Sequence, residues 1–404
     1  MDIFDKYAPL LERFQAATSG GKNPFGVCLE DIYSATEAKV DGRRTILLGT
    51  NNYLGLTFNE DCIAAATEML KSHGTGTTGS RIANGSYAEH EALEKSIAEY
   101  LNRKSAIVFS TGYQANFGVI VGLAGPKDVI FLDADSHASI YDGCKLSGAT
   151  LIRFRHNDTE DLDKRMSRFA DFEGCKLVVT EGLYSMLGDT APLKEFVEVK
   201  KKHGGWLLVD EAHSFGMYGD HGRGAAEHYG VEKDVDFVAG TFSKSLGAIG
   251  GFGASDHPMF DVLRFASRPY MFTASPSPAS IASVHAALDC MRKDPSLRTR
   301  IWENARHLFQ GLKDAGFEVI SELSPIVAVR MPDEATAVAF WNRLLENGIY
   351  VNLAVPPGTP KGVCLMRCSV SSAHEARQID DAIDAFVRTR SEVFSDEEVA
   401  ATAS

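Results

Sequence analysis

Basic residues are in short supply. Lys and Arg number 41 against 54 Asp and Glu in 404 residues, a net charge of −13. A general nucleic-acid binder needs a basic face, so that class is excluded. Cysteine is sparse as well: seven, an odd number, scattered with no repeated pairing pattern. No stretch at the start reads as a secretory leader, so free thiols in a reducing cytoplasm are expected. Cys364 and Cys368 lack a second pair of ligands at metal-site spacing, and no metal is expected. Long apolar runs are missing too. Ser105 to Pro126 holds no charged residue, but Ser110, Thr111, Gln114, Asn116 and several glycines divide it into strand, turn and helix. A membrane span needs about 20 predominantly apolar residues. No Gly-x-x-x-x-Gly-Lys-Ser/Thr loop occurs, which removes the phosphate-loop partner that a magnesium-binding reading of Asp210-Glu211 would need. There is no internal repeat.

What is present is a set of short apolar runs that end in polar residues. Trp206 to Val209 leads into Asp210, Glu211 and His213. Phe237 to Gly240 leads into Thr241, Ser243 and Lys244. Such runs read as buried strands of a parallel sheet, whose functional groups gather at the carboxyl edge. An acid, an imidazole, two hydroxyls and a lysine at one rim match the needs of pyridoxal phosphate: a Schiff-base lysine and a carboxylate for the pyridinium nitrogen.

The rest of the chain fits that frame. Periodicity predicts an amphipathic helix over Ile3–Phe14, ended by Gly20-Gly21, then a strand at 45–49. Asn51-Asn52 reads as a turn. Gly74 to Arg81 resembles a dinucleotide fingerprint, but a helical pattern precedes it where that fingerprint requires a strand, so it reads as a permissive loop. From 105 strand and helix alternate, the mark of a parallel sheet. Strands are predicted at 106–110, 128–133, 151–154, 176–180 and 206–209, with helices at 114–123, 138–147, 159–170 and 193–203. The Ser110-Thr111-Gly112 turn opens a helix whose free N–H groups suit a phosphate. Ser136-His137 and Ser185 fall at strand ends. After a helix at 279–292 comes a compact α+β pattern. The expected division is an N-terminal helix and lead-in strand (1–48), a large cofactor domain (49–280), a small C-terminal α+β domain (281–394) and a frayed acidic tail (395–404).

Ordered motifs from Phe25 to Phe386 resemble the α-oxoamine synthases, a branch of the fold-type I pyridoxal-phosphate enzymes. The resemblance is carried by Leu47–Gly55, Gly74–Arg81, Ser110–Asn116, Asp133–Gly143, Glu181–Leu193, Val209–Ser214, Gly222–Gly224, Gly240–Gly247 and Arg268–Ser275. It implies an α/β transferase with a mostly parallel central sheet in a large domain and a smaller C-terminal α+β domain. By resemblance, Lys244 would hold the cofactor and move protons at the substrate α-carbon. Asp210 would pair with the ring nitrogen, His213 with the ring hydroxyl, and His137 would stack on the ring; Ser185 would lie near the hydroxyl. Gly112, Tyr113, Thr241 and Ser243 would hold the phosphate, with Thr273 reaching across from a second subunit of a homodimer. Asn52 and Arg367 would bind substrate, Arg367 clamping its carboxylate.

The 133–143, 181–193 and 268–275 stretches are most similar to the bacterial branch that condenses L-serine with a long-chain acyl thioester. That reaction, with palmitoyl-CoA or an acyl carrier protein as donor, gives 3-ketodihydrosphingosine, the first step of sphingolipid synthesis. One departure stands out: Val355 precedes Pro356-Pro357, where that branch is expected to carry arginine, so serine binding would lean on Arg367. Two further readings stay open. One is a sister synthase of the 2-amino-3-ketobutyrate CoA ligase or 8-amino-7-oxononanoate synthase type, using glycine or alanine; the other is a non-catalytic partner subunit. A lipid substrate leaves room for peripheral membrane contact.

Overall fold

The computed structural model describes residues 2–18 and 21–394; Gly20 and the tail 395–404 lie outside the described residues. The chain forms two compact units. The first comprises Met1–Tyr53, Ser185–Asp189 and Arg300–Ser404, the second Leu54–Tyr184 and Thr190–Thr299.

The first unit opens with a 3-10 turn at Asp5–Tyr7 and α1 (Ala8–Thr18). The helix therefore begins later than its periodicity predicts, with Pro9 in the first turn, where the missing N–H needs no partner. Strands β1 (Asp31–Ile32), β2 (Glu37–Val40) and β3 (Arg43–Leu47) follow, paired antiparallel. The two-residue link between β2 and β3, Asp41-Gly42, has positive φ at both positions (49° and 74°). That is the backbone of a type I′ hairpin turn, which Asp-Gly favours.

The second unit holds α2 (Glu60–His73), α3 (Ala88–Tyr100) and a seven-stranded sheet. Its strands are β4 (Ser105–Phe109), β5 (Val129–Asp133), β6 (Thr150–Phe154), β7 (Lys176–Glu181), β8 (Trp206–Asp210), β9 (Phe237–Thr241) and β10 (Gly251–Ser255). They lie in the order β4-β10-β9-β8-β7-β5-β6. All are co-directional except β10, which runs antiparallel to β4 and β9. Every residue of β5, β7, β9 and β10 is buried, as expected for strands covered on both faces. Helices α4 (Gly112–Leu123), α5 (Ala138–Ser147), α6 (Thr159–Ser167) and α7 (Leu193–His203) supply the crossovers. Ala115, Val119 and Ile120 of α4 join Ile130, Leu132, Val179 and Leu208 in one core. Each fully buried Leu, Ile or Phe there contributes about 1.5–3 kcal/mol. Short helices α8 (Ala225–His228), α9 (Leu263–Ala266) and α10 (Arg268–Met271) precede α11 (Pro278–Lys293), which packs on α2 and α3.

The first unit is completed by α12 (Ser296–Asp314), whose first residues belong to the second unit, and by β11 (Ile326–Met331), α13 (Glu334–Glu346), β12 (Ile349–Tyr350), β13 (Asn352–Ala354), β14 (Cys364–Ser369) and α14 (Ala376–Val393). β12 joins β3 in parallel, and β11, β14 and β13 form a separate antiparallel sheet. Phe340 of α13 and Phe386 of α14, both buried, meet the half-buried Phe317 edge to face, and each other at a tilt. Among the described residues, no helix is long and apolar enough to cross a membrane.

Candidate active site

The carboxyl ends of β7, β8 and β9 and the amino end of α4 surround a cavity of about 320 Å³ in the second unit, at the lower end of the roughly 300–1,000 Å³ typical of small-molecule sites. Gly112, Tyr113, His137, Asp210, His213, Thr241, Ser243 and Lys244 line it together. Eight of the twelve expected site residues thus converge on one cavity. Thr273 belongs to the same unit, where its hydroxyl accepts from Gln114 Nε2 at 3.2 Å.

The remaining three, Asn52, Ser185 and Arg367, belong to the first unit. Arg367, on β14, is 5% exposed. Its Nε donates to the Ser185 carbonyl at 2.7 Å, and Nη2 approaches Asn51 Oδ1 at 3.2 Å and the Tyr53 hydroxyl at 3.4 Å. Among the described residues it has no carboxylate partner. Asn52 Nδ2 lies 3.5 Å from the Ala35 carbonyl.

At one end of the cavity α4 begins. Thr111 caps the helix by accepting from Gln114 N at 3.1 Å. Gly112 lets the backbone approach Thr241: a Cβ there would sit 2.5 Å from Thr241 Oγ1. Thr241 Oγ1 and Ser243 Oγ lie 2.9 Å apart beside this helix end. Open N–H groups, a positive helix pole and two hydroxyls form an anion cradle. The Tyr113 hydroxyl donates to Asp142.

Asp210 also lines the cavity. Its Oδ1 accepts from Ala212 N at 2.8 Å and its Oδ2 from Asn116 Nδ2 at 2.6 Å. Glu181, its register partner on β7, accepts from the His137 backbone N–H at 2.6 Å. Burial raises the Glu181 carboxyl well above the usual range, and the neighbouring Asp210 pushes the same way. Burial lowers the His137 pKa; Asp210 opposes that shift and Lys244 adds to it. Glu211 is spent on structure, accepting from Ala225 N and Ala226 N at 2.8 and 2.9 Å to cap α8.

Asn116, Ser139 and Glu181 also line the cavity, and none is among the site residues expected from the sequence. Each had a faint signal: Asn116 interrupts an apolar helix run, Ser139 follows His137 by two, and Glu181 ends a strand. The Asn116 Oδ1 is buried with no hydrogen-bond partner. The donor set fits pyridoxal phosphate: a cradle for the phosphate, a carboxylate for the ring nitrogen, and a lysine for the aldehyde.

The fold and this site define a fold-type I pyridoxal-phosphate transferase, and the chain belongs to the aminotransferase class I and II family, whose model matches residues 43–386. Within that class it is similar to bacterial serine palmitoyltransferases. It is 56% identical over 393 residues to the one from Caulobacter vibrioides, covering 97% of this chain and 96% of that one. A solved serine palmitoyltransferase structure with its pyridoxal phosphate superposes with a TM-score of 0.95 at 48% identity, covering 97% of this chain and 99% of the other. An 8-amino-7-oxononanoate synthase from Geobacter sulfurreducens stands lower, at 38% identity over 87% of this chain and 90% of that one.

Proposed function

We propose that this chain is a pyridoxal-phosphate-dependent acyltransferase that joins L-serine to a long-chain acyl thioester, releasing carbon dioxide and the free thiol and forming 3-ketodihydrosphingosine. The observation that carries the reading is the single cavity in which Lys244, Asp210, His137 and His213 meet a helix-terminus anion cradle. The standing of serine palmitoyltransferases above the oxononanoate synthases among its relatives selects the substrate pair.

The residues divide the work by chemistry. Gly112, Tyr113, Thr241 and Ser243 would hold the phosphate through backbone N–H groups and hydroxyls. Asp210 would accept the ring N–H, and His213 would hydrogen-bond the ring hydroxyl. Bound there, the cofactor supplies an electron sink for the carbanion at the serine α-carbon. Lys244 would anchor the cofactor, take the α-proton from serine, and return a proton to that carbon after the new C–C bond has formed and the carboxylate has left. His137 would lie against the ring face. Arg367 would bind the serine carboxylate with its two-pronged guanidinium. The homodimer, with Thr273 completing the neighbouring site, is part of the same proposal.

The test is an amino-acid titration of the purified, cofactor-loaded protein followed by its visible spectrum, then addition of palmitoyl-CoA and mass analysis of the product. A change saturating with L-serine, followed by a long-chain amino ketone retaining the serine hydroxymethyl group, is expected. A response to glycine or L-alanine with none to serine would overturn the substrate assignment and leave the cofactor chemistry standing.

A further inference from the structure

We infer that Asn116 and Ser139 are positioning residues: they form a one-directional chain of hydrogen bonds between Asp210 and His137 that holds the imidazole as the neutral tautomer with its proton on Nε2. The inference deepens the proposed function only in its consequence; the chain of bonds itself follows from donor and acceptor counts.

Start at the acid. Both Asp210 oxygens accept, Oδ1 from Ala212 N and Oδ2 from Asn116 Nδ2 at 2.6 Å. Turning the Asn116 amide over would set its oxygen against a carboxylate oxygen, so the NH₂ group faces Asp210. An amide nitrogen only donates, and it has two hydrogens. The second goes to Ser139 Oγ at 3.0 Å, which leaves Ser139 one hydrogen of its own. His137 Nδ1 lies 2.7 Å from that hydroxyl. The Ser139 backbone N–H, 3.2 Å away, also points to Nδ1. A nitrogen that receives two donors carries no proton, so the ring proton sits on Nε2.

The titratable side chains that line the cavity with His137 are Glu181 at the end of β7, Asp210 and His213 at and just past the end of β8, Lys244 beyond β9 and Tyr113 at the start of α4. Protonating Nδ1 would turn the Ser139 hydroxyl hydrogen away and set the new N–H against the Ser139 backbone N–H, which points at the same nitrogen. Hydrogen bonding to the neutral form of a base opposes its charging. The consequence for catalysis is separation of roles. Asp210 would then govern charge at the ring nitrogen of the bound cofactor, while the imidazole would stay neutral, with Nε2–H as its ring donor.

The tautomer can be read directly in cofactor-loaded protein labelled with ¹⁵N-histidine, using long-range proton–nitrogen correlation across a pH series. The His137 signals are identified by their loss in His137→Gln. Wild type and Ser139→Thr, which keeps the hydroxyl, should show a bare Nδ1 and a protonated Nε2. In Ser139→Ala the titration midpoint should rise by roughly one pH unit, the equivalent of one lost hydrogen bond. Asn116→Asp reverses the polarity of the chain and should raise it further. A proton on Nδ1 in the wild type, or an unchanged midpoint in both Ser139→Ala and Asn116→Asp, would overturn the inference. No substrate is needed, so absence of serine turnover would count against the proposed function and leave this result untouched.

Discussion

At the residue scale the informative side chain is Arg367. A buried guanidinium with no acid beside it, among the described residues, is costly unless its donors are used. Here one donor goes to the Ser185 carbonyl, while longer contacts reach Ser369 Oγ, Asn51 and Tyr53. Those neutral acceptors orient the fork without cancelling its charge, which suits a group assigned to meet a carboxylate. Val355 offers no second cation. Lysine at 367 would keep the charge and lose the planar fork. Charge-assisted hydrogen bonds are worth about 1.5–3 kcal/mol, so Arg367→Lys should raise KM for L-serine by roughly 10–100-fold while the spectrum of the bound cofactor stays as in wild type. Steady-state kinetics at fixed palmitoyl-CoA checks this. An unchanged KM would remove Arg367 from serine binding.

At the scale of elements, function depends on how closely α4 approaches β9. Gly112 is the contact: any side chain there meets Thr241, one of the residues proposed to hold the phosphate. Relieving such a clash costs about 1–3 kcal/mol. Gly112→Ala should therefore weaken retention of pyridoxal phosphate by roughly 5–100-fold, measured by cofactor release on dialysis, with far-ultraviolet circular dichroism unchanged. Tight retention in that variant would show that α4 can retreat without opening the cradle.

The same elements show what a sequence can reveal. Strands β5, β7 and β8 were legible because parallel strands covered on both faces are continuous apolar runs. β10 was not: Gly251-Phe-Gly-Ala-Ser is short-sided and glycine-bearing, which reads as loop, and only pairing on both edges makes it a strand. The β2–β3 hairpin is legible only in part: the strand expected at 45–49 overlaps β3, but β2 is four residues long and does not stand out, although Asp41-Gly42 signals the turn. Within the site, Lys244, Asp210 and His213 stood out as reactive groups following apolar strands. Asn116 and Ser139 did not, since their meaning lies in which atom faces which, and that is a three-dimensional fact.

At the scale of the whole molecule, pH enters through a buried imidazole remote in sequence from the cofactor cavity. His374 is 5% exposed; its Nδ1 accepts from Ser371 N at 2.8 Å, and Asn304 Nδ2 donates to the carbonyls of Ser371 and His374 at 2.9 Å each. The adjoining residues fasten the segment that leads to Asn51 and Tyr53: Ser369 N donates to Leu48 O at 2.6 Å and Ser372 N to Tyr53 O at 2.7 Å. Burial lowers the His374 pKa to about 4. An unfolded histidine titrates near 6.5, so between those values the unfolded chain binds the extra proton and the folded one does not. Stability from this group is complete above about pH 6.5 and is lost progressively as pH falls toward 4. Between pH 7 and pH 5 the loss amounts to about 2 kcal/mol. Urea unfolding at the two pH values, followed by the fluorescence of Trp302 and Trp341 in a Trp206→Phe background, should show that difference, and His374→Asn should reduce it while lowering stability at both. If the change in stability between pH 7 and pH 5 is the same in wild type and in His374→Asn, the imidazole titrates in the fold as it does in the unfolded chain. The 369–374 segment would then be held by its backbone bonds alone, and the setting of Arg367 would not depend on keeping this histidine neutral.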